Sequence, residues 1–351
     1  MSKRVPRTSS SQNRHASQAM TAFQEKVWRE GARLYRDLPW RRTTNPYHVF
    51  VSEVMLQQTQ VVRVEKHWNS WIERFPVLDA LAEAPLADVL ATWQGMGYNR
   101  RAIALQQAAQ MVVSHYGGCF PQTTGELIKL PGVGAATAAG LRAFAFNLPS
   151  LYLETNVRTV FLHEFFPDAV GVPDGELLPL LAEACPGYRG SSDAPEPLYS
   201  SSEPHTHTSV AHAQSSVAPS SLANGALRGG IVQEHEKALQ AESKGPRAWY
   251  YALLDYGAYL KKTVPNPSRR SKSHTKQSAY EGSRRQKRAE LIRLLLAAQE
   301  LTLDELTEEL SSHEKKEGRP GVDTPLVQSI MEDLEQEGFC VSADGTWFIP
   351  S

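Results

Sequence analysis

Residues 130–140 read LPGVGAATAAG, a proline–glycine turn followed by a run of small residues. An amphipathic segment, residues 124–130, precedes the turn, and an alanine-rich segment, residues 135–146, follows it. The pattern predicts two helices joined by a tight hairpin, because glycine adopts positive φ and lets a second backbone approach closely. We expect the second helix to begin at Gly134, where unpaired N–H groups and the helix dipole favour an anion such as a phosphate.

The size and charge of the chain allow several classes of protein. A chain of 351 residues can form two or three domains, and its net charge of −1 neither favours nor excludes nucleic acid as a partner. Its three cysteines, Cys119, Cys185 and Cys340, are widely spaced, which is typical of proteins from reducing, intracellular compartments. Because no apolar run approaches the ~18 residues of a membrane span, we expect no membrane association.

The first half of the chain indicates an all-α fold. Apolar residues recur at helical spacing over residues 21–37 and again from residue 46, and proline and glycine divide the chain into helices of ordinary length. Residues 1–20 are basic, serine-rich and free of acidic residues. We interpret them as a disordered leader, with an organelle transit peptide as the alternative.

Residues 187–243 differ from the rest in composition. Serine, alanine, proline and histidine dominate most of the segment and no apolar period is visible, so we predict a disordered insertion. His205, His207 and His212 lie within it, and metal binding is the alternative interpretation of these histidines. Helical structure should resume at residues 249–260, WYYALLDYGAYL.

The last part of the chain, residues 283–351, is predicted to form a separate module. Helices are expected over residues 286–299, 303–310 and 325–337, followed by a hairpin with strands 339–341 and 347–349 around Asp344-Gly345. Three helices and a two-stranded wing are typical of winged-helix modules. Such a module can equally bind protein, and its acidic second helix does not favour DNA.

Glu53 is the candidate catalytic residue in the stretch SEVMLQQTQ, residues 52–60. Its helical neighbours are apolar, and burial among apolar groups raises the pKa of a carboxylic acid, so that it can deliver a proton near neutral pH. A surface or ion-paired glutamate is the alternative interpretation of the same residue. The motifs around Glu53 favour the catalytic interpretation.

Three motifs together resemble one family of DNA repair enzymes. LPWRRTTNPYHVFVSEVMLQQTQV, WQGMGYNRRA and LPGVGAATAAG, all within residues 38–167, resemble the MutY-type adenine DNA glycosylases, which belong to the helix–hairpin–helix base-excision glycosylases; endonuclease III is a more distant relative. The resemblance implies an all-α, two-domain fold. A six-helix module would span residues 45–150 with the hairpin at 124–146, and residues 21–44 plus 151–282 would form the second domain, before the winged-helix-like module.

The resemblance also assigns roles to individual residues. Glu53 is implied as the acid that protonates the adenine ring, and Glu154, in LETNV, stands where the family has an aspartate that stabilises the sugar cation. Gln58 and Tyr98 stand where the family inserts side chains into the base stack, although Tyr98 can also be a core residue. The remaining implied DNA contacts come from the hairpin and the basic strip: Leu130, Gly132, Val133, Gly134, Ala135, Arg269, Arg270 and Lys272.

Several positions depart from the family pattern. Endonuclease III has a Schiff-base lysine where this chain has Ala136, and a methyl group cannot form an imine, so the reaction should use water. Many members have a second tyrosine where this chain has Asn99. No cysteine occurs between Cys185 and Cys340, and three cysteines cannot supply the four ligands of the family's iron–sulfur cluster.

The segment after residue 260 resembles the cluster-free branch of the family instead. Residues 261–288 contain ten basic residues against the single acidic Glu281, which is typical either of a phosphate-contacting strip or of a solvated linker. The family's large C-terminal domain, which recognises 8-oxoguanine, is far larger than residues 283–351. The sequence therefore does not predict whether the base opposite the adenine must be 8-oxoguanine.

We expect a monofunctional glycosylase that excises adenine mispaired with guanine or 8-oxoguanine. Two alternatives remain: the same fold removing thymine or uracil, and a DNA-binding protein without catalysis. No cofactor and no iron–sulfur cluster is expected to be required, and a monovalent cation at the hairpin is compatible with the resemblance. The expected partner is duplex DNA with a mismatched adenine, bound by a monomer in a bacterial cytoplasm with the nucleoid; organelle targeting by the leader is the alternative.

Overall fold

The structure, a computed structural model, describes residues 10–190, 245–274 and 279–350. The predicted insertion, residues 187–243, lies outside the described residues except for its first four positions, and so do its three histidines. Within the described ranges the chain is mainly helical. None of the helices in these ranges is long and apolar enough to cross a membrane.

The helices and strands follow one another in a simple order. The helices are α1 (Ser10–Leu34), α2 (Pro46–Leu56), α3 (Val61–Arg74), α4 (Leu78–Ala82), α5 (Leu86–Thr92), α6 (Arg100–Tyr116), α7 (Thr124–Leu127), α8 (Ala135–Phe144), α9 (Thr155–Phe165), α10 (Asp174–Ala184), α11 (Pro246–Thr263), α12 (Arg284–Ala298), α13 (Leu303–Lys316) and α14 (Thr324–Gln336). The strands are β1 (Glu300–Thr302), β2 (Val341–Ala343) and β3 (Thr346–Phe348), and short 3₁₀ turns span Pro39–Arg42 and Pro267–Arg270.

The first helix begins earlier than the sequence suggested. Helix α1 starts at Ser10, so the prediction of a disordered leader through residue 20 is wrong for residues 10–20. The reason is visible at the end of that stretch, where Met20 is buried with Phe23 in the core. The stretch is polar enough to resemble a leader, but its last residue, Met20, already contributes to packing.

The region from α2 to α8 packs around aromatic side chains. The Trp71 ring centroid lies 5.0 Å from that of Phe75 and 5.4 Å from that of Trp93, and all three side chains are fully buried. Helix α2 begins cleanly because Asn45 caps it, accepting a hydrogen bond from the Tyr47 N–H at 2.9 Å. This region contains seven helical segments where six were expected, and the two shortest are α4 with five residues and α7 with four.

Helices α1, α9 and α11 form a second core, which joins the N-terminal helix to the chain after residue 150. The Phe23 ring lies 5.2 Å from Phe161 and 6.1 Å from Trp249. Helix α11 can approach the start of α9 because Gly257 has no side chain: a Cβ there would lie 2.2 Å from the carbonyl oxygen of Asn156. The close contact fixes the start of α9 against α11.

The C-terminal module has the element order α-β-α-α-β-β, with the three helices and the terminal hairpin that the sequence predicted. Its sheet has three antiparallel strands in the order β1-β3-β2, one more than predicted. Asp344 and Gly345 both have positive φ and form a two-residue turn, so Ala343 pairs with Thr346. The two strands therefore lie nearer the turn than the predicted strands 339–341 and 347–349. Phe339 is instead buried in the core of the module.

Candidate active site

The hairpin lies between α7 and α8 as the sequence predicted. Gly132 has φ of 73° and packs so closely against α6 that a Cβ would lie 2.8 Å from the Cβ of Ala104. Gly134 is the N-cap of α8. The first N–H groups of an α-helix have no acceptor within the helix, because no preceding turn supplies one. Gly134 and Ala135 are exposed, so this end of α8 is open to an anion.

Two of the hairpin residues predicted to contact DNA are buried, unlike Gly134 and Ala135. Leu130 and Val133 are 2% and 6% exposed, with their side chains in the hydrophobic core. Their apolar side chains anchor the hairpin to the domain, and DNA contact at these two residues stays a prediction. At these two positions only backbone atoms remain for a contact with a phosphate.

Glu53 is buried on α2, as the apolar neighbours predicted. Its side chain is 9% exposed, and burial raises the pKa of its carboxyl group to about 8. A hydrogen bond from Tyr152 opposes the shift, and the negative charge of Glu154 adds to it. With this pKa, Glu53 holds its proton at neutral pH and can donate it.

A glycine makes the space that the Glu53 carboxyl group occupies. A Cβ on Gly140, in the middle of α8, would lie 2.2 Å from Oε2 of Glu53. The small residues of LPGVGAATAAG therefore do more than form a hairpin, because they also let α8 pack directly over the acid on α2.

Glu154 is the N-cap residue of α9. Its Oε1 accepts hydrogen bonds from the backbone N–H of Asn156 at 2.6 Å and of Val157 at 3.0 Å. Burial raises the pKa of the Glu154 carboxyl group, while these two N–H groups and the charges of Lys261 and Arg158 lower it. The capping role that a carboxylate at a helix start commonly has is thus present here.

Glu53 and Glu154 both line a cavity of about 270 Å³, named here the Glu53 cavity. Ala136 lines it as well and contributes a methyl group, which cannot form an imine. Its other walls carry aromatic and polar side chains, among them Trp40, Arg41, Gln57, Gln58, Thr137, Tyr152, Asn156 and Tyr251. A cavity that joins apolar walls to a few convergent polar groups is typical of a small-molecule or nucleobase site.

The LPWRR motif supports one wall of this cavity. Arg41 is buried and donates two hydrogen bonds to Asp255 on α11, at 2.7 and 2.9 Å, and Arg36 donates a third to the same carboxylate. The Arg41 guanidinium also lies over the Tyr251 ring, 4.4 Å from its centroid. The motif therefore ties the segment before α2 to α11 across the cavity.

Gln58 and Tyr98 lie in two tight turns and both have positive φ, of 56° and 50°. Gln58 is exposed, whereas Tyr98 is half-buried, with its hydroxyl accepting a hydrogen bond from Arg285 at 2.7 Å. Both residues line a larger cavity of about 530 Å³, the Tyr98 cavity. Its far wall belongs to the C-terminal end of the chain, including Tyr280, Arg285, Gln286, Ala289, Glu290, Ile292, Arg293 and His313.

Arg101 joins the two turns, a role that the sequence interpretation missed. Its guanidinium donates to acceptors on both sides, at 2.6–3.1 Å: the carbonyl oxygens of Val54, Met55, Gln57, Met96 and Gly97 and the hydroxyl of Thr59. Burial lowers the pKa of Arg101 to about 10. The sequence feature that could have indicated this role is the second arginine of NRRA, residues 99–102. The acceptors of Arg101 are mainly backbone carbonyl oxygens, however, and these are not visible in a sequence motif.

The three basic-strip residues predicted to contact DNA, Arg269, Arg270 and Lys272, line neither cavity. Arg269 and Lys272 are exposed, while Arg270 is half-buried and donates a hydrogen bond to the carbonyl oxygen of Pro167. Backbone hydrogen bonds of 2.9 Å on either side of Val172 hold the strip in place. Two of the three predicted contacts thus present their side chains to solvent.

The residues present do not fit an iron–sulfur cluster. Cys119 is exposed after α6, Cys185 is buried beside the Ser150 carbonyl oxygen, and Cys340 is buried in the C-terminal module. Three cysteines in separate parts of the fold cannot provide four thiolate ligands. Among the described residues, no group of three or more histidine, cysteine or acidic side chains is placed to hold a metal ion.

The fold and the site define a class of protein. Residues 51–188 match the family model described as "HhH-GPD superfamily base excision DNA repair protein". The matched stretch contains Glu53, both turns, the hairpin and Glu154. This part of the chain is therefore similar to the HhH-GPD base excision DNA repair proteins.

More specific similarity comes from individual relatives. The adenine DNA glycosylase of Mycolicibacterium smegmatis is 45% identical over 134 residues, which cover 38% of this chain and 45% of the relative. That of Buchnera aphidicola subsp. Baizongia pistaciae is 40% identical over 130 residues, covering 37% of each chain. The human adenine DNA glycosylase is 42% identical over 134 residues, covering 36% of this chain and 24% of the relative. Each match spans less than half the length of the relative.

Proposed function

We propose that this protein is a monofunctional adenine DNA glycosylase of base-excision repair, acting on adenine mispaired with guanine or 8-oxoguanine. The proposal depends mainly on the burial of Glu53, which raises the pKa of its carboxyl group to about 8. Glu53 and Glu154 line the same cavity. The HhH-GPD domain around it and the relatives named adenine DNA glycosylase support the choice of adenine.

The proposed reaction begins with binding of mismatched duplex DNA. The exposed N-terminus of α8 at Gly134 and Ala135 would accept a phosphate, and the exposed Arg269 and Lys272 would contact the backbone. Gln58 and Tyr98 would enter the stack as the target nucleotide leaves it. Flipping a base out of a duplex costs a few kcal/mol, and least at a mismatch.

Chemistry would then follow inside the Glu53 cavity. Glu53 gives its proton to the adenine ring, the bond between base and sugar breaks, and the electron pair of that bond leaves with the neutral base. The sugar becomes an oxocarbenium-like cation, which the nearby carboxylate of Glu154 stabilises electrostatically. Water adds to the cation, because Ala136 offers no amine, and the proton that this water releases returns to the Glu53 carboxylate. The product is an abasic site in an intact strand.

The remaining expectations are part of the same proposal. We infer that the enzyme needs no cofactor and no iron–sulfur cluster, since its cysteines cannot supply the ligands, and that a monovalent cation can bind at the hairpin. We also propose that it acts as a monomer on DNA in a bacterial cytoplasm.

The decisive experiment measures free base released from a panel of mismatched duplexes under single-turnover conditions. The panel contains A·G, A·8-oxoguanine, A·C, T·G and U·G pairs, and Glu53→Gln protein is the control for contaminating enzymes. Adenine should be released from the first two duplexes, and the product strand should break only after hot alkali.

Other results would contradict the proposal in distinct ways. Release of thymine or uracil would mean that the same fold acts on another base. Tight mismatch binding without release of any base would indicate a non-catalytic protein. A borohydride-stable protein–DNA adduct in high yield would show a lyase and refute the role of water.

A further inference from the structure

Tyr152 stands beside Glu53 in the wall of the Glu53 cavity. The phenol ring and the carboxyl group both pack against Gly140, where a Cβ would lie 2.2 Å from Oε2 of Glu53 and 3.0 Å from Cε2 of Tyr152. Both side chains line the Glu53 cavity, where hydrogen bonding from the Tyr152 hydroxyl lowers the pKa of the Glu53 carboxyl group. Among the influences on the Glu53 pKa, this bond is the one that favours the charged form of the carboxyl group.

The surrounding residues hold the Tyr152 ring in place from three directions. The Tyr152 backbone N–H donates a hydrogen bond of 3.2 Å to the Tyr250 hydroxyl, which itself donates to the carbonyl oxygen of Ser150. The Tyr152 ring packs edge-on against Phe144 and Tyr250, with centroid distances of 5.1 and 5.4 Å. At 7% exposure the side chain has little room to adopt another rotamer.

The phenol can act on Glu53 only as a donor. Burial and the neighbouring negative charges hold the pKa of Tyr152 well above its usual value, so the hydroxyl keeps its proton at any working pH. A neutral phenol that faces a carboxyl group stabilises the carboxylate more than the acid. Ala136, which also lines the cavity, contributes only a methyl group.

We propose that Tyr152 is the positioning residue for Glu53: its hydroxyl fixes the orientation of the carboxyl group toward the cavity and stabilises the carboxylate left after Glu53 gives its proton to the base. The inference rests on the proposed function for its role in catalysis. The proton moves from Glu53 to the base, and Tyr152 keeps its own proton throughout. Tyr152 therefore acts through Glu53.

The test compares Tyr152→Phe with wild-type protein in single-turnover base release from an A·G duplex over a range of pH. The ring packing survives this change, so the protein should fold. The plateau rate should fall about ten- to a hundred-fold, the worth of a hydrogen bond to a charged group. The alkaline limb, where Glu53 loses its proton, should move to higher pH, because the carboxylate has lost its donor.

Tyr256→Phe is the matched control. Tyr256 donates a phenol–carboxylate hydrogen bond of 2.5 Å to Glu164, outside the Glu53 cavity. Its loss should lower thermal stability to a similar extent and leave both the plateau rate and the alkaline limb in place. If Tyr152→Phe behaved like this control, Tyr152 would be a packing residue and the inference would be wrong.

A second readout separates this inference from the proposed function. In protein labelled with ¹³C at glutamate side-chain carboxyl carbons, the Glu53 signal is the one missing from the spectrum of Glu53→Gln protein. Its titration should move to higher pH in Tyr152→Phe and not in Tyr256→Phe. If wild-type protein released no base, the proposed function would fail, and this titration would still decide whether Tyr152 controls Glu53. An unshifted titration would refute the inference.

Discussion

The α2 wall and the α9 wall of the Glu53 cavity carry the same side chain in opposite surroundings. On the α2 wall, Glu53 stands among apolar side chains with one phenol donor, and burial is the main influence on its pKa. On the α9 wall, burial raises the pKa of Glu154 as well, but two backbone N–H groups and the charges of Lys261 and Arg158 offset part of that rise.

The comparison shows how one residue type serves two tasks. An acid must hold its proton until the base accepts it, which an apolar surrounding with few donors achieves. A group that stabilises a cation must be negative, which hydrogen-bond donors and nearby cations favour. Pairs of titratable groups whose surroundings separate their pKa values are typical of acid–base sites. The predictions below test whether the two walls differ in this way.

The largest effect is expected at the α2 wall. Glu53→Gln keeps the shape of the side chain and removes the proton that the base needs. General acid catalysis contributes roughly 10²–10⁴-fold, so single-turnover base release should fall by about that factor. Binding of the mismatched duplex, measured by fluorescence anisotropy, should remain close to that of the wild type.

A surface substitution provides the control for Glu53→Gln. Glu83 is exposed at the end of α4, and Glu83→Gln makes the same chemical change without altering the cavity. Its rate should equal that of the wild type. Base release by Glu53→Gln within a few-fold of the wild-type rate would remove Glu53 from the mechanism.

The second largest effect is expected at the α9 wall. Glu154→Gln keeps an oxygen that can accept the N–H bonds of Asn156 and Val157, but it removes the negative charge opposite the sugar cation. Electrostatic stabilisation of this kind is worth about 10²–10³-fold, and we expect a loss in that range. Glu154→Asp keeps the charge and remains a good N-cap, so it should retain more activity.

A second N-cap carboxylate separates catalysis from capping. Asp323 caps α14 by accepting the N–H of Leu326 at 3.2 Å, far from the cavity in the C-terminal module. Asp323→Asn should lower the melting temperature slightly and leave the rate unchanged. If Glu154→Gln gave the same pattern, Glu154 would be a capping residue and Glu53 would act without it.

Sequence reasoning identified both walls, because each acid lies in a contiguous motif with a recognisable neighbourhood. Burial of Glu53 followed from its apolar neighbours, and the hairpin followed from LPGVGAATAAG. It could not separate exposed from buried positions inside the hairpin, since Leu130 and Val133 have their side chains in the core. A periodicity of apolar residues shows that a face is buried, but not which members of a short turn lie on it.

Contacts between distant segments were also invisible in the sequence. Arg101 binds backbone carbonyl groups of two turns, and carbonyl groups carry no sequence signature. The packing of Tyr152 on Glu53 depends on the absence of a side chain at Gly140, in a third segment. Strand β1 was missed because three residues are too few to show an alternating pattern.

The third prediction concerns the support behind both turns. Arg101→Lys keeps the charge but offers one ammonium group in place of a planar guanidinium that reaches acceptors in two segments. The turns that carry Gln58 and Tyr98 should lose their common anchor. Affinity for a mismatched duplex should drop about ten-fold, with a lower melting temperature, while the Glu53 pKa stays near 8.

The neighbouring arginine is the matched control for Arg101→Lys. Arg100 is exposed and pairs with Glu337 at 3.0 Å, so Arg100→Lys changes a surface ion pair of small energetic weight. It should leave duplex affinity nearly unchanged. Equal affinities for the Arg100→Lys and Arg101→Lys proteins would show that the turns do not depend on their shared anchor.

The fourth prediction concerns the pH dependence of folding stability. The Glu53 pKa is about 8 in the folded protein, against an ordinary value of 4.5, so between these values the folded state holds a proton that the unfolded state releases. The contribution of Glu53 to the free energy of unfolding is therefore complete below pH 4.5, falls as pH rises and levels off above pH 8. Glu53→Gln cannot titrate and should lack this component.

Urea unfolding of wild-type and Glu53→Gln proteins at several pH values from 5 to 8 measures the component directly. Relative to the variant, the wild type should lose on the order of 1 kcal/mol per pH unit, the slope for one proton. Glu154 titrates in both proteins, so the difference between the curves reports the titration of Glu53 together with its coupling to Glu154. If the free energies of unfolding of the two proteins changed in parallel with pH, Glu53 would titrate at an ordinary pKa. The two walls would then differ in their hydrogen-bond partners and not in the pKa of Glu53.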